Sequence, residues 1–210
     1  MVADSGWQPL LWSSDTRDDG FAPWPPGSRR HLPQGAWVDH VPGWYRDADD
    51  LFSTLRQDID WRADRRQMFD RELPVPRLTA WFSQCAAAGV PALERCREEL
   101  NARYDPGDDP LVSAGLCLYR DGRDSVAWHG DRIGRGRHAD TVVAVLSLGS
   151  ARQFQLRPRG GGTAIRYTVG HGDLLVMGGS CQRTWDHAVP KTRQFAGPRV
   201  SVQFRPTGVA

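Results

Sequence analysis

"LVSAGLCLYRDGRDSVAWHGD" (residues 111–131) decides how the rest of the chain is read. Its first nine residues are an apolar run bounded by Pro110 and the turn-forming "RDGRD", which is the signature of a buried strand rather than a helix. The same signal recurs in "TVVAVLSLG" (141–149), "RQFQLR" (152–157), "AIRYTV" (164–169), "DLLVM" (173–177) and "RVSVQFR" (199–205), separated by Gly-rich or charged turns. Six strands without helical periodicity between them exclude alternating βαβ units and predict an antiparallel double sheet, a jelly roll, over residues 111–208.

Upstream the period changes. In "DADDLFSTLRQDIDWRADRR", Leu51, Phe52, Leu55 and Ile59 share one helical stripe behind aspartates that suit a helix N-terminus, so a helix is expected over Asp49–Asp60. Pro91 fits a first helical turn, and Leu93, Cys96, Leu100 and Tyr104 are spaced 3, 4 and 4, which predicts a second helix ended by "DPGDDP". Residues 49–110 are therefore read as supporting helices and a connecting strand of the same domain. Residues 1–48 contain "FAPWPPGSRRHLPQG", whose prolines and glycines break any period, and are read as an irregular segment. The fold class is α+β, mainly β: a double-stranded β-helix carried by helices from the N-terminal half.

At 210 residues one domain with a substantial core is expected. No apolar run approaches the roughly 18 residues that span a bilayer, and the N-terminus lacks the basic and apolar regions of a secretory signal. A cytoplasmic monomer is the expectation. Cys85, Cys96, Cys117 and Cys181 form no CxxC pair and read as reduced thiols. Net charge is +2, but residues 1–110 carry 13 Arg against 19 acidic residues, while residues 111–210 carry 14 basic against 6 acidic ones. A positive field over the β half favours an anionic partner.

Chemistry concentrates at "WHGD". His129 and Asp131 are i and i+2, on one face of an extended segment, so imidazole and carboxylate can reach one ion. His187, after the strand "DLLVM", supplies a third ligand. Two histidines and a carboxylate on a jelly roll make the facial triad of a non-haem Fe(II) oxygenase. Asp186 beside it reads as a solvated charge, with an orienting role next to the ligand as the alternative, and His31, His40, His138 and His171 read as structural or surface residues. In "RVSVQFR", Val200, Val202 and Phe204 face one way, and Arg199, Ser201, Gln203 and Arg205 the other. The two arginines stand roughly 20 Å apart at about 3.3 Å per residue. Leaning inward, their side chains would grip a small dicarboxylate between them.

These motifs in this order, through "PRLTAWF" (76–82), "CLYRDGRDSVAWHGD" (117–131), "GHGDLLVMGGSCQRTWDHAVPK" (170–191) and "PRVSVQFR" (198–205), resemble the AlkB family of Fe(II)/2-oxoglutarate-dependent dioxygenases. The resemblance implies that His129, Asp131 and His187 bind Fe(II) and that Tyr119, Arg199, Arg205 and Ser201 bind 2-oxoglutarate. It implies a reaction in which O2 and the keto acid are consumed to give succinate and CO2, an N-alkyl carbon is hydroxylated, and the hemiaminal collapses to free base and aldehyde. Alkylated DNA or RNA is the implied substrate, with Trp81, Trp128, Arg132, Arg135 and Arg137 expected to contact it and Arg157 and Arg159 to meet phosphates. Three positions depart from the family pattern: Cys117 and Ser201 stand where it has Asn, and Arg132 where repair members are acidic. A short or missing flap after "TAWF" is a fourth departure. The alternatives are the same chemistry on a protein or small molecule, and a jelly-roll binding module without catalysis.

Overall fold

The computed structural model describes residues 20–68, 71–105, 107, 109–132, 134–194 and 196–209. A long sheet forms from β1 (Arg29–His31), β2 (Ala36–Val41), β5 (Leu78–Phe82), β6 (Leu111–Tyr119), β8 (Val143–Gly149), β11 (Asp173–Gly179) and β13 (Arg199–Pro206). Its spatial order is β1-β2-β11-β8-β13-β6-β5. A shorter sheet, ordered β10-β9-β12-β7, forms from β7 (Val126–His129), β9 (Arg152–Pro158), β10 (Ile165–Val169) and β12 (Trp185–Val189). Every pairing is antiparallel, as the jelly-roll reading requires. A hairpin of β3 (Arg65–Met68) and β4 (Arg71–Pro74) precedes β5 and was not anticipated from the sequence.

Alternation along the strands builds three layers. On β8, Ala144, Leu146 and Leu148 pack toward α1 (Ala48–Asp58) and α2 (Pro91–Tyr104), while Val143 and Val145 point into the space between the sheets. On β11, Leu174 and Val176 take the first side, and Leu175 and Met177 the second. The second core is completed from the short sheet by Phe154, Leu156, Val169 and Val189. Each helix presents its expected stripe: Leu51 and Leu55 from α1, and Leu93, Cys96 and Leu100 from α2, are buried. Pro91 opens α2, and Asp105, at φ 41, closes it in the left-handed region.

The N-terminal segment is more regular than its prolines suggest. Residues 36–41 are a full strand of the long sheet, hydrogen-bonded to β1 on one side and β11 on the other, which corrects the irregular reading for that stretch, while residues 1–19 of the segment lie outside the described residues. "AWVDHV" alternates weakly because both of its faces are covered: Ala36, Val38, Asp39 and Val41 are all buried. Gly178 of β11 lets the Trp37 ring lie on the sheet, since a Cβ there would fall 1.9 Å from the ring.

β13 lies between β6 and β8, so its arginines cannot belong to a solvent-facing edge. Val200, Val202 and Phe204 join the helix-side core, and none of the three exposes any surface. Phe204→Ala should destabilise the protein by about 3–5 kcal/mol. Urea denaturation measures this, and a loss below about 1 kcal/mol would contradict the packing.

Candidate metal centre

β7 and β12 are neighbours, with His129 directly opposite His187 and their ring centroids 4.2 Å apart. His129 Nδ1 lies 2.9 Å from the Ala127 carbonyl, which can only accept; the proton therefore sits on Nδ1 and the Nε2 lone pair is left free. The His187 ring lies nearly parallel to Phe154 at 5.5 Å, inside the roll. Asp131 follows the end of β7. Its backbone N–H donates to Gln182 Oε1 at 3.0 Å, and its Oδ2 accepts from Arg205 Nε at 2.7 Å. Ligand atoms from His129, Asp131 and His187 all lie within 4.8 Å of one another.

Gly130 makes this turn possible. A Cβ there would fall 2.7 Å from the Gln182 carbonyl oxygen and 3.2 Å from that of Trp185, so the loop presses onto the backbone around α3 (Cys181–Thr184). Protonation also suits a cation. Burial, reinforced by His129, pushes His187 down to about 3 and keeps the imidazole neutral. Burial alone would raise Asp131, but the Arg205 guanidinium and His187 outweigh it and hold the carboxyl at about 2. A neutral imidazole and an ionised carboxylate are the forms that a metal requires.

The polar face of β13 continues the cavity inward. Its residues are matched across the ladder with β6: Arg199 opposite Tyr119, and Ser201 opposite Cys117. Arg199 is 1% exposed; its Nε donates to Ser147 Oγ at 2.9 Å, its guanidinium lies 5.0 Å from the Tyr119 ring, and its buried Nη1 has no hydrogen-bond partner. A buried cation with an idle donor fits an anionic ligand, because leaving it unpaired costs free energy. Burial raises the Tyr119 phenol, with the Cys117 thiol adding to it, so Tyr119 offers a hydroxyl donor. Ser201 Oγ accepts from Gln203 Nε2 at 2.6 Å. The cavity, ≈ 70 Å³, is lined by Cys117, Tyr119, Arg199, Ser201, Gln203 and the triad, enough for a small ligand rather than a single water.

Arg205 has a second contact that its sequence position did not announce. Both arginines line the cavity, and Arg205 also donates its Nε to Asp131. Arg77, Gln203 and Gln182 were missed. Arg77 Nε donates to Cys117 Sγ at 3.3 Å, so Cys117 occupies a polar position while the other three cysteines are buried.

The residues expected to meet substrate divide. Trp81 is 51% exposed on β5, its ring 5.9 Å from the Arg205 guanidinium. Trp128 is not among the residues that line the cavity, and Arg157 covers its ring at 4.2 Å. Arg132 is engaged with Asp186 at 2.8 Å, which also corrects the reading of Asp186 as a solvated charge. Arg137 and Arg159 are exposed, and the side chain of Arg135 lies outside the described residues. A wider groove of ≈ 470 Å³ beside Gln34, Arg159 and Trp185 is larger than the cavity but holds none of the triad, so chemistry and not size locates the site.

The model of the 2OG-Fe(II) oxygenase superfamily matches residues 45–205. The chain is 31% identical over 180 residues to the alpha-ketoglutarate-dependent dioxygenase alkB homolog 3 of Mus musculus, covering 76% of this chain and 62% of that one. It is 26% identical over 182 residues to the DNA oxidative demethylase ALKBH2 of Bos taurus, covering 76% and 64%. The chain thus spans under two thirds of the length of these relatives. A prolyl hydroxylase from Trichoplax adhaerens, solved with a peptide fragment of hypoxia inducible factor, shares the fold at a TM-score of 0.57 and 13% identity, over 81% of this chain and 83% of that one.

Acid should destabilise the metal-free protein in two steps. His187 binds its proton at about 3 when folded but near 6.5 when unfolded, so stability falls as pH drops from 6.5 toward 3. Asp131, at about 2 against 3.8, contributes stability above 3.8 that is lost as pH falls through 2, in the same direction. Thermal unfolding in chelator measures this; an unchanged Tm between pH 7 and pH 5 would refute the neutral, buried His187.

Proposed function

Because the chain belongs to the 2OG-Fe(II) oxygenase superfamily and, within it, to the AlkB family, we propose that it is an Fe(II)- and 2-oxoglutarate-dependent dioxygenase that oxidatively removes N-alkyl groups from bases of DNA or RNA. The observation that carries the reading is the convergence of His129, Asp131 and His187 within 4.8 Å, beside a buried Arg199 with an unpartnered Nη1. A binding module without catalysis gives no reason to place a metal-ligand set and an anion-binding arginine in one cavity.

On this reading His129 Nε2, Asp131 and His187 would hold Fe(II). The bound metal, with 2-oxoglutarate and O2, supplies the oxidation of the alkyl carbon. Arg199 and Tyr119 take the distal carboxylate of the keto acid, the guanidinium by charge and the phenol by hydrogen bonding. Arg205 orients Asp131 through Nε and offers its remaining N–H groups to the cavity. Phe154, Val143 and Val145 make the walls apolar and exclude water. Trp81 offers a stacking face to an extruded base, and the exposed Arg137 and Arg159 offer contacts to phosphates.

The test supplies Fe(II), 2-oxoglutarate and ascorbate and compares succinate release with and without oligonucleotides bearing 1-methyladenine or 3-methylcytosine. Stimulated release, with formaldehyde in step, is expected; no stimulation by any methylated DNA or RNA would sink the nucleic-acid reading. Arg199→Ala should raise the KM for 2-oxoglutarate by about 10- to 100-fold, as loss of one charge-assisted hydrogen bond implies. Affinity for an unmodified single strand should fall steeply with salt, and a flat response would contradict phosphate contacts.

A further inference from the structure

Arg132 follows the carboxylate of the triad in sequence and Asp186 precedes its second histidine. These two flanking residues, 54 positions apart, meet in a hydrogen-bonded ion pair at 2.8 Å, with side chains 28% and 13% exposed. The segments that carry them touch at two further points. The Asp131 N–H donates to Gln182 Oε1, and Gly130 packs against the Gln182 and Trp185 carbonyls too closely for any side chain. These contacts hold the Asp131 loop to the strand that carries His187, and farther on Gly134 bridges Val209 and Gly136 packs on the Asp131 carbonyl, so the ion pair is the charged member of a set of contacts around the loop.

We infer that Arg132 and Asp186 are positioning residues, a charge clamp that holds the Asp131 loop against the His187 strand and so sets the spacing of two ligands of the triad. The clamp rests on the reading of that triad as a metal site. It acts as outer groups around a metal act generally, fixing the ligands without touching the ion. It also accounts for an arginine beside the metal carboxylate: its charge is spent within the protein on Asp186, not presented to substrate.

Metal-free protein titrated calorimetrically with Mn(II), and spectroscopically with Co(II), tests the clamp without turnover. Arg132→Ala and Asp186→Ala should each weaken Mn(II) binding by about 10- to 100-fold and alter the Co(II) visible bands. The exchanged double variant, Arg132→Asp with Asp186→Arg, should recover most of the loss, which a merely structural role for either side chain would not produce. Should an alanine variant fold poorly, Arg132→Gln and Asp186→Asn remove the charge with little change of shape and carry the same expectation. His187→Ala is the control. If it abolishes binding while both single variants bind as tightly as the native protein, the clamp is overturned and the metal reading stands. An exchange no tighter than the single variants also overturns the clamp, whereas full binding by His187→Ala overturns the metal reading itself.

Discussion

The hydrogen-bonded ion pair between Arg205 and Asp131 is the constraint on which the site depends. Its partners are 12% and 4% exposed and 2.7 Å apart, and either charge left alone at that depth would cost several kcal/mol. The contact also joins the layers: Arg205 belongs to the last strand of the long sheet, and Asp131 to the loop that leaves the short one. One interaction therefore holds a carboxylate ionised inside an apolar roll, aims it toward two histidines and ties the two sheets together at that end. Gln182 and Gly130 then leave the loop little freedom to turn the carboxylate elsewhere.

β13 can serve this purpose because it is central and strictly alternating. Val200, Val202 and Phe204 are locked into the helix-side core, which fixes the register, and the register fixes where Arg199, Ser201, Gln203 and Arg205 emerge. A slip of one residue would bury both guanidiniums among leucines. Hydrogen bonding to β6 and β8 on either side adds the rigidity that a binding constellation needs.

How much of this was legible follows from range. Six strands of the β half, both helices and the polar face of β13 declare themselves through local period, and the triad through residue type and order, but β7 and β12, the short strands that carry His129 and His187, do not. β2 did not, because a strand covered on both faces loses its alternation and its neighbours are prolines and glycines. The direction of Trp128 was not legible either, because the register shift in the β7–β12 pairing brings Val126 and His129, three residues apart, to the same cavity and breaks simple alternation. Arg132 with Asp186, and Arg77 with Cys117, were beyond reach, since nothing local records a pairing made across 54 or 40 residues. Their partners exist only once the sheets have closed.

The charges lining the cavity bear on how its two ends cooperate. Arg77, Arg199 and Arg205 bring three positive charges and Asp131 one negative, and His187 is held neutral. A dication entering alone would add to an unbalanced positive field, with one carboxylate to oppose it. A dianion entering alone would satisfy Arg199 and lower that field. Each ligand thus improves the site for the other, and by thermodynamic reciprocity the gain is equal in both directions. In the proposed enzyme, an anion paired with Arg199 would leave the metal end less repulsive to a cation.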